Sequence, residues 1–189
     1  MKKNKLFAII GPSGAGKGTV IKEIKKIFPQ IKYPISYTTR EKREGEKEGE
    51  VYYFISQEKF EEMIQNQEFL EYQRIHKNAY YGSSKKQIIN KLEKHNLLRE
   101  FDIQGVKAIE KIIPKENLVK IFITVSDWET LERRILKRSS ISKEELLKRE
   151  ESYNKEIKFL KYCDHVIESK DNMQKELIED FSQIIKKYI

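Results

Sequence analysis

Residues Gly11-Pro12-Ser13-Gly14-Ala15-Gly16-Lys17-Gly18-Thr19 constrain this chain more than any other stretch. They follow Leu6-Phe7-Ala8-Ile9-Ile10, an unbroken apolar run of the kind a parallel strand buried on both faces requires. They precede Val20 to Phe28, where apolar residues recur at helical spacing. Strand, glycine loop and helix form the context in which G-x-x-x-x-G-K binds phosphate. Glycines permit positive φ and close backbone approach, so successive N–H groups converge on an anion. The helix N-terminus adds partial positive charge, and Lys17 can reach the transferred phosphate. A serine or threonine commonly follows this lysine to meet magnesium; here Gly18 intervenes and Thr19 carries the hydroxyl.

Further along, apolar runs with β-branched residues recur at Leu97 to Ile103 and Leu118 to Val125, and weakly at His165 to Glu168. Helical patterns separate them at Lys85 to Lys94, Val106 to Ile112 and Lys143 to Leu160, and Asn172 to Tyr188 closes the chain. Alternating strands and helices predict an α/β fold, a parallel sheet covered on both faces with its ligand at the carboxyl edge. Two regions break the rhythm. Ser36 to Ser83 has short strands at Val51 to Ile55 and Phe69 to Gln73 around a helix at Gln57 to Gln65, as an inserted α+β substrate subdomain would. Asp127 to Glu150 is an irregular, arginine-bearing region that reads as a lid over phosphates. The core then comprises residues 1–35, 84–126 and 151–189, in a single domain of 189 residues.

Composition excludes several classes. With 11% aromatic residues the chain is not a disordered one, and a single cysteine, Cys163, rules out an internal disulfide framework. No apolar run approaches the ~20 residues of a membrane span, and the basic N-terminus leads straight into the loop rather than into a signal peptide. A cytoplasmic enzyme without a membrane partner is expected, as monomer or homodimer. The net charge of +8 invites nucleic acid, but lysines interleave with glutamates along the helices, the pattern of a solvated face. No nucleic-acid partner is expected.

A second motif, Ser36-Tyr37-Thr38-Thr39-Arg40-Glu41-Lys42-Arg43-Glu44-Gly45-Glu46, is a charged loop whose Arg40 and Arg43 could both face an anion with planar donor forks. Together with the glycine loop, Tyr52-Tyr53-Phe54, Phe69-Leu70-Glu71, Tyr80-Tyr81-Gly82-Ser83 and Asp102-Ile103-Gln104-Gly105, in this order, it resembles guanylate kinase from about Leu6 to Asp171. The resemblance implies a P-loop kinase fold, three α/β/α layers carrying a GMP-binding subdomain at residues 36–83 and a lid at 127–150. It implies ATP held by Gly11 to Thr19 and GMP held by two sets of residues. Arg40, Arg43, Tyr52 and Tyr81 would take the phosphate; Ser36, Glu71 and Ser83 would read the base, with Asp102 close by. It further implies lid arginines Arg134, Arg138 and Arg149 neutralising charge, Lys17 and Arg40 acting in the transfer, and Mg2+ met by Thr19 and, through water, Asp102.

The choice of base also has a physical ground. Guanine presents N1–H and N2–H₂ donors side by side, which an ionised carboxylate accepts, while serine hydroxyls can donate to O6. Adenine inverts part of that edge, and a site built for one leaves its polar groups unpaired with the other. Departures from the family pattern are Ser139 and Ser169, which replace a glycine and an asparagine, Ala79, an apparent insertion that leaves Tyr80 or Tyr81 as the partner, and Arg99 inside an apolar strand. Two rivals stay open: a related kinase with another acceptor, and a non-catalytic binding module of the same architecture. The histidines His76, His95 and His165 lack metal-ligand spacing.

Overall fold

A computed structural model of the chain describes residues 3–50, 52–75, 79–138 and 141–189, with the side chains of Ile75 and Arg138 outside the description. The first half runs β1 (Leu6–Ile10), α1 (Lys17–Ile27), β2 (Ser36–Thr38), β3 (Tyr52–Phe54), α2 (Gln57–Gln65), β4 (Phe69–Ile75), β5 (Ala79–Ser84) and α3 (Lys85–Leu92). The second runs β6 (Leu97–Glu100), α4 (Ile103–Ile109), β7 (Leu118–Thr124), α5 (Trp128–Arg138), α6 (Lys143–Ile157), β8 (His165–Glu168) and α7 (Gln174–Tyr188).

The main sheet is wholly parallel, in the order β6-β1-β7-β8. β1 is paired on both sides, and all five of its residues are buried, which is what its unbroken apolar run demands. Strand alternation divides that run between two cores. Phe7 and Ile9 pack with Val20 and Ile24 of α1, Leu131 of α5 and Phe181 of α7. Leu6, Ala8 and Ile10 pack on the opposite face with Ile88 of α3 and Val106 and Ile109 of α4. Helices on both faces make the three layers expected. Among the described residues no helix is long and apolar enough to cross a membrane.

One boundary differs from expectation. β6 stops at Glu100 instead of running to Ile103, and α4 begins at Ile103 rather than Val106. The reason is Asp102, whose Oδ1 accepts the Gly105 backbone N–H at 2.6 Å as the N-cap. Capping favours aspartate more than strand pairing does, so the chain turns there.

The interruption at residues 36–83 is a second sheet, in the order β3-β2-β5-β4, mixed parallel and antiparallel. β2 and β5 were not foreseen from sequence: one is three residues long, and the other contains Gly82-Ser83-Ser84, poor strand formers. Its own small core is Phe60 and Met63 of α2 with Phe69 of β4. Gly82 is where that core touches the backbone: an added Cβ would stand 2.8 Å from ring atoms of both Phe60 and Phe69. Gly82→Ala is therefore expected to cost about 1–3 kcal/mol by overpacking. Thermal unfolding checks it, and an unchanged midpoint would show that the rings move aside freely.

The segment read as irregular, 127–150, holds α5, which was not expected, and the start of α6, the helix expected at Lys143 to Leu160. α5 buries Leu131 and Ile135, four residues apart, against the main core. α6 buries none of its residues; Ser142 caps it, and Glu144–Lys148 and Glu145–Arg149 pairs at 2.6 Å support its exposed face. Ser139, at the joint between these helices, lies outside the described residues.

Candidate active site

The loop after β1 crosses the carboxyl edge of the sheet. Gly11 adopts φ 140, and a Cβ there would fall 2.1 Å from the Ile123 carbonyl oxygen, so no larger residue fits between β1 and β7. Gly16, at φ 98, is the N-cap of α1 and gives it no side-chain cap. Serine or aspartate side chains cap α2, α3, α4 and α6. The N–H groups that those caps satisfy elsewhere remain at α1 for an anion.

Lys17, 9% exposed, donates from Nζ to the Gly11 carbonyl at 2.5 Å and the Pro12 carbonyl at 2.9 Å. Its ammonium also lies 3.5 Å from the Glu100 carboxylate. The cation is thus held over the loop by the loop itself. A cavity of about 940 Å³ opens here, walled by Ser13, Gly14, Gly16, Lys17, Gly18, Thr19, Glu100, Arg134 and Arg149, among others. Gly11, Pro12 and Ala15 stand behind that wall as the loop's frame.

A second cavity, about 1170 Å³, lies against the smaller sheet. Seven residues singled out from sequence line it: Ser36, Arg40, Arg43, Tyr52, Glu71, Tyr81 and Ser83. Either volume accommodates a nucleotide. Both cavities include Glu100, at the carboxyl end of β6, so they meet there. Asp102 lines neither; it is exposed and caps α4. Asp102, expected close to the base, thus has no position in the cavity wall.

Strand alternation separates the two adjacent tyrosines of β5. Tyr81 faces the cavity, edge-on to Tyr52 at 5.5 Å, whereas Tyr80 stacks on Phe60 at 5.1 Å. Arg40 is braced by Glu46, which accepts from its Nη2 at 2.8 and 3.0 Å and from the Arg43 backbone N–H at 2.8 Å. Arg40 first, then the Arg43 N–H, hold the Glu46 carboxyl below the ordinary carboxylate range. With Nη1 also on the Glu41 carbonyl at 2.6 Å, the guanidinium is held 5.7 Å from the Tyr52 ring.

At the other end of this cavity Ser83 donates to Glu71 Oε1 at 2.9 Å. Arg99, 5% exposed, stands behind them with Nη2 donating to Ser36 Oγ at 3.0 Å and to Ser83 Oγ, and with Nη1 on the Pro34 carbonyl at 3.2 Å. The Glu71 carboxylate is 3.6 Å away. Burial presses the Arg99 pKa down, and Tyr33, Glu71 and Glu100 oppose it.

Of the arginines expected in the lid, Arg134 is bound on the α7 side: Nη1 to Ser169 Oγ at 3.0 Å, Nη2 to the Ser169 carbonyl at 2.7 Å, and Nε to Asp171 at 2.8 Å. Arg149 is held by Glu145 and lines the loop cavity. The Arg138 side chain lies outside the described residues. The remaining reactive groups stand apart. His165 pairs with Tyr188 at 2.8 Å, and burial pushes the Cys163 thiol up to about 11, which keeps it protonated and inert.

Sequence reasoning assigned no role to Glu100, Glu46 or Arg99. Glu100 had a signal in its place at the carboxyl end of a strand, the edge where a parallel sheet holds its ligand. Arg99 stood out inside an apolar strand and Glu46 within the second motif, but neither showed its role, because that role depends on partners far away or across a turn.

The comparisons agree with the geometry. A family model described as guanylate kinase matches residues 3–188. The guanylate kinase of Clostridioides difficile is 44% identical over 172 residues, 90% of this chain and 82% of its own. That of Prochlorococcus marinus is 45% identical over 148 residues, 78% of this chain and 79% of its own. The crystal structure of guanylate kinase from Anaplasma phagocytophilum superposes with a TM-score of 0.67 at 25% identity, covering 99% of this chain and 87% of that one.

Proposed function

The chain belongs to the guanylate kinase family, and from that premise we propose that it transfers the γ-phosphoryl group of ATP to GMP, and to dGMP, giving ADP and GDP in nucleotide recycling. The observation that carries the reading is the meeting of two cavities at Glu100. One is walled by a phosphate loop, the other by two arginines at one end and a carboxylate with serines at the other.

In the proposed reaction an oxygen of the GMP phosphate attacks the γ-phosphorus, and the bond to the oxygen bridging β- and γ-phosphates breaks. No side chain acts as nucleophile, so the chain contributes positioning and charge neutralisation. Loop N–H groups and Lys17 hold the donor phosphates, while Arg40 and Arg43, with Tyr52 and Tyr81, hold the acceptor phosphate. Arg134 and Arg149 meet the charge that develops between them, with Arg138 as the third arginine in the family pattern. Closing the lid over the site would keep water from taking the phosphoryl group. Glu71 accepts from guanine N1–H and N2–H₂, and Ser36 donates to O6.

The residues present suit Mg2+ bound with ATP. Among the described residues no cluster of three or more acidic, histidine or cysteine side chains forms a metal cage. The Thr19 hydroxyl and the Glu100 carboxylate both line the loop cavity, and Asp102 keeps a second carboxylate oxygen free of its cap for a bound water. One or two oxygen donors completed by phosphate and water is the manner in which magnesium is held. When bound, the ion would neutralise phosphate charge.

The test is ADP release with Mg-ATP against GMP, dGMP, AMP, UMP and CMP. Turnover confined to the two guanine nucleotides is expected. Preference for another acceptor would point to a related kinase, and absence of both turnover and GMP or ATP binding would leave only a binding module.

A further inference from the structure

Arg99 is a buried cation in a strand whose other buried residues, Leu97 and Leu98, are apolar, and the transfer reaction as described gives it no task. Leu97, Leu98 and Phe101 around it all lie in the cores. Placing a guanidinium there is costly unless its donors are used. Most are: two go to serine hydroxyls that line the acceptor cavity and one goes to the Pro34 carbonyl, while Nε has no partner. Arg99 is not part of the cavity wall; it lies directly behind Ser36, Ser83 and Glu71.

We infer that Arg99 is a positioning residue for base selection, which biases the Ser36 hydroxyl toward donating a hydrogen bond and so favours a 6-oxo purine over a 6-amino purine. This rests on the GMP kinase reading of the same cavity. A serine hydroxyl has one hydrogen and two lone pairs, and by rotation it serves a carbonyl or an amino group equally well. Arg99 biases that choice, because it takes one lone pair and its positive charge disfavours a second N–H aimed at the same oxygen. A guanidinium has only donors and does not lose its proton, so a hydroxyl facing it must present its oxygen to the cation. Ser83 Oγ accepts from Arg99 and spends its hydrogen on Glu71. Ser36 Oγ accepts from Arg99 and its hydrogen is left for the cavity. A carbonyl at purine C6 receives that hydrogen. An amino group there would meet a second donor backed by a positive charge.

The same relay, Arg99 to Ser83 to Glu71, holds the carboxylate in place for the N1–H and N2–H₂ edge. The guanidinium does not use up the carboxylate: the Glu71 side chain is 29% exposed, and the Arg99 nitrogen is 3.6 Å from it, beyond a direct hydrogen bond.

The experiment compares wild type, Arg99→Leu, Arg99→Lys, Ser36→Ala and the Arg99→Leu/Ser36→Ala double variant in kcat/KM for GMP and AMP, with the KM for ATP measured in each. In Arg99→Leu the GMP-to-AMP ratio should fall about tenfold to a hundredfold, the range of a hydrogen bond involving a charged group. KM for GMP should rise, KM for ATP should hold, and AMP turnover should improve. In the Ser36→Ala background the same replacement should change the ratio by less than about threefold, because the hydroxyl it governs is gone.

Arg99→Lys keeps the buried cation but not the fork that reaches both hydroxyls. It should lose part of the ratio, which keeps the inference testable if the leucine variant does not fold. Parallel loss with GMP and AMP, a wild-type ratio in the lysine variant, or an equal effect with and without Ser36 would overturn the inference, since packing alone predicts those. Wild type that does not phosphorylate GMP would instead sink the function proposed above, before any variant is compared.

Discussion

Lys17→Ala should lower kcat on the order of 10³-fold while GMP affinity falls only slightly. The magnitude follows from what preorganised charge contributes when it faces a transferring phosphoryl group in a site shielded from water. Lys17 is suited to that because its ammonium is already desolvated and aimed. It is 9% exposed and rests on the Gly11 and Pro12 carbonyls, which release it to a phosphate with little movement. Lys22, Arg134 and Arg149 also line the cavity, but it is Lys17 whose ammonium rests on the loop carbonyls. The acceptor cavity does not include Lys17, so GMP should feel the change only through Glu100, 3.5 Å from the ammonium. Coupled ADP release gives kcat and calorimetry gives GMP affinity. Turnover near that of wild type would sink the mechanism, and loss of GMP binding equal to the loss of kcat would show that the variant has damaged both halves of the site.

Glu71→Gln should reduce kcat/KM for GMP by about 10²- to 10³-fold, chiefly through KM, and leave KM for ATP unchanged. The carboxylate is the only group in the proposed base site that offers two acceptor oxygens to adjacent donors. Glutamine keeps the shape but puts an NH₂ donor against one of those hydrogens. Two charge-assisted bonds, at about 1.5–3 kcal/mol each, are lost or weakened, which spans the stated range. The substitution also removes a negative charge 3.6 Å from the buried guanidinium of Arg99, so the melting temperature should fall. Steady-state kinetics across both substrates checks the first effect and thermal unfolding the second. An unchanged KM for GMP would remove Glu71 from the base site.

Much of the fold was legible because its signals are local. β1 and the loop after it could be read from eleven consecutive residues, since a strand buried on both faces shows no alternation and a phosphate loop shows its glycines. Helical periodicity likewise marked α1, α3 and α7, give or take a turn at the ends. What escaped were elements whose residues resist their own conformation. β5 ends in Gly82-Ser83-Ser84 and is a strand because β2 and β4 pair with it on either side. α5 escaped as well, because its two buried residues, Leu131 and Ile135, are set among charged ones.

The site divides along the same line. The sequence by itself determined the kinds of groups present: a glycine loop with its lysine, a pair of arginine forks, and an acceptor-only carboxylate with hydroxyl residues. Those follow from residue type and short spacing. The tertiary structure alone decided which groups act together. It turned Tyr81 rather than Tyr80 into the cavity through the pairing register of β5, and brought the two cavities together at Glu100. It also carried Arg99, which looked like a flaw in a strand of the main sheet, to the back of serines 63 and 16 residues away in sequence. A buried charge has meaning only through its partners, and at such separations chain folding, not local pattern, brings partners within hydrogen-bond reach.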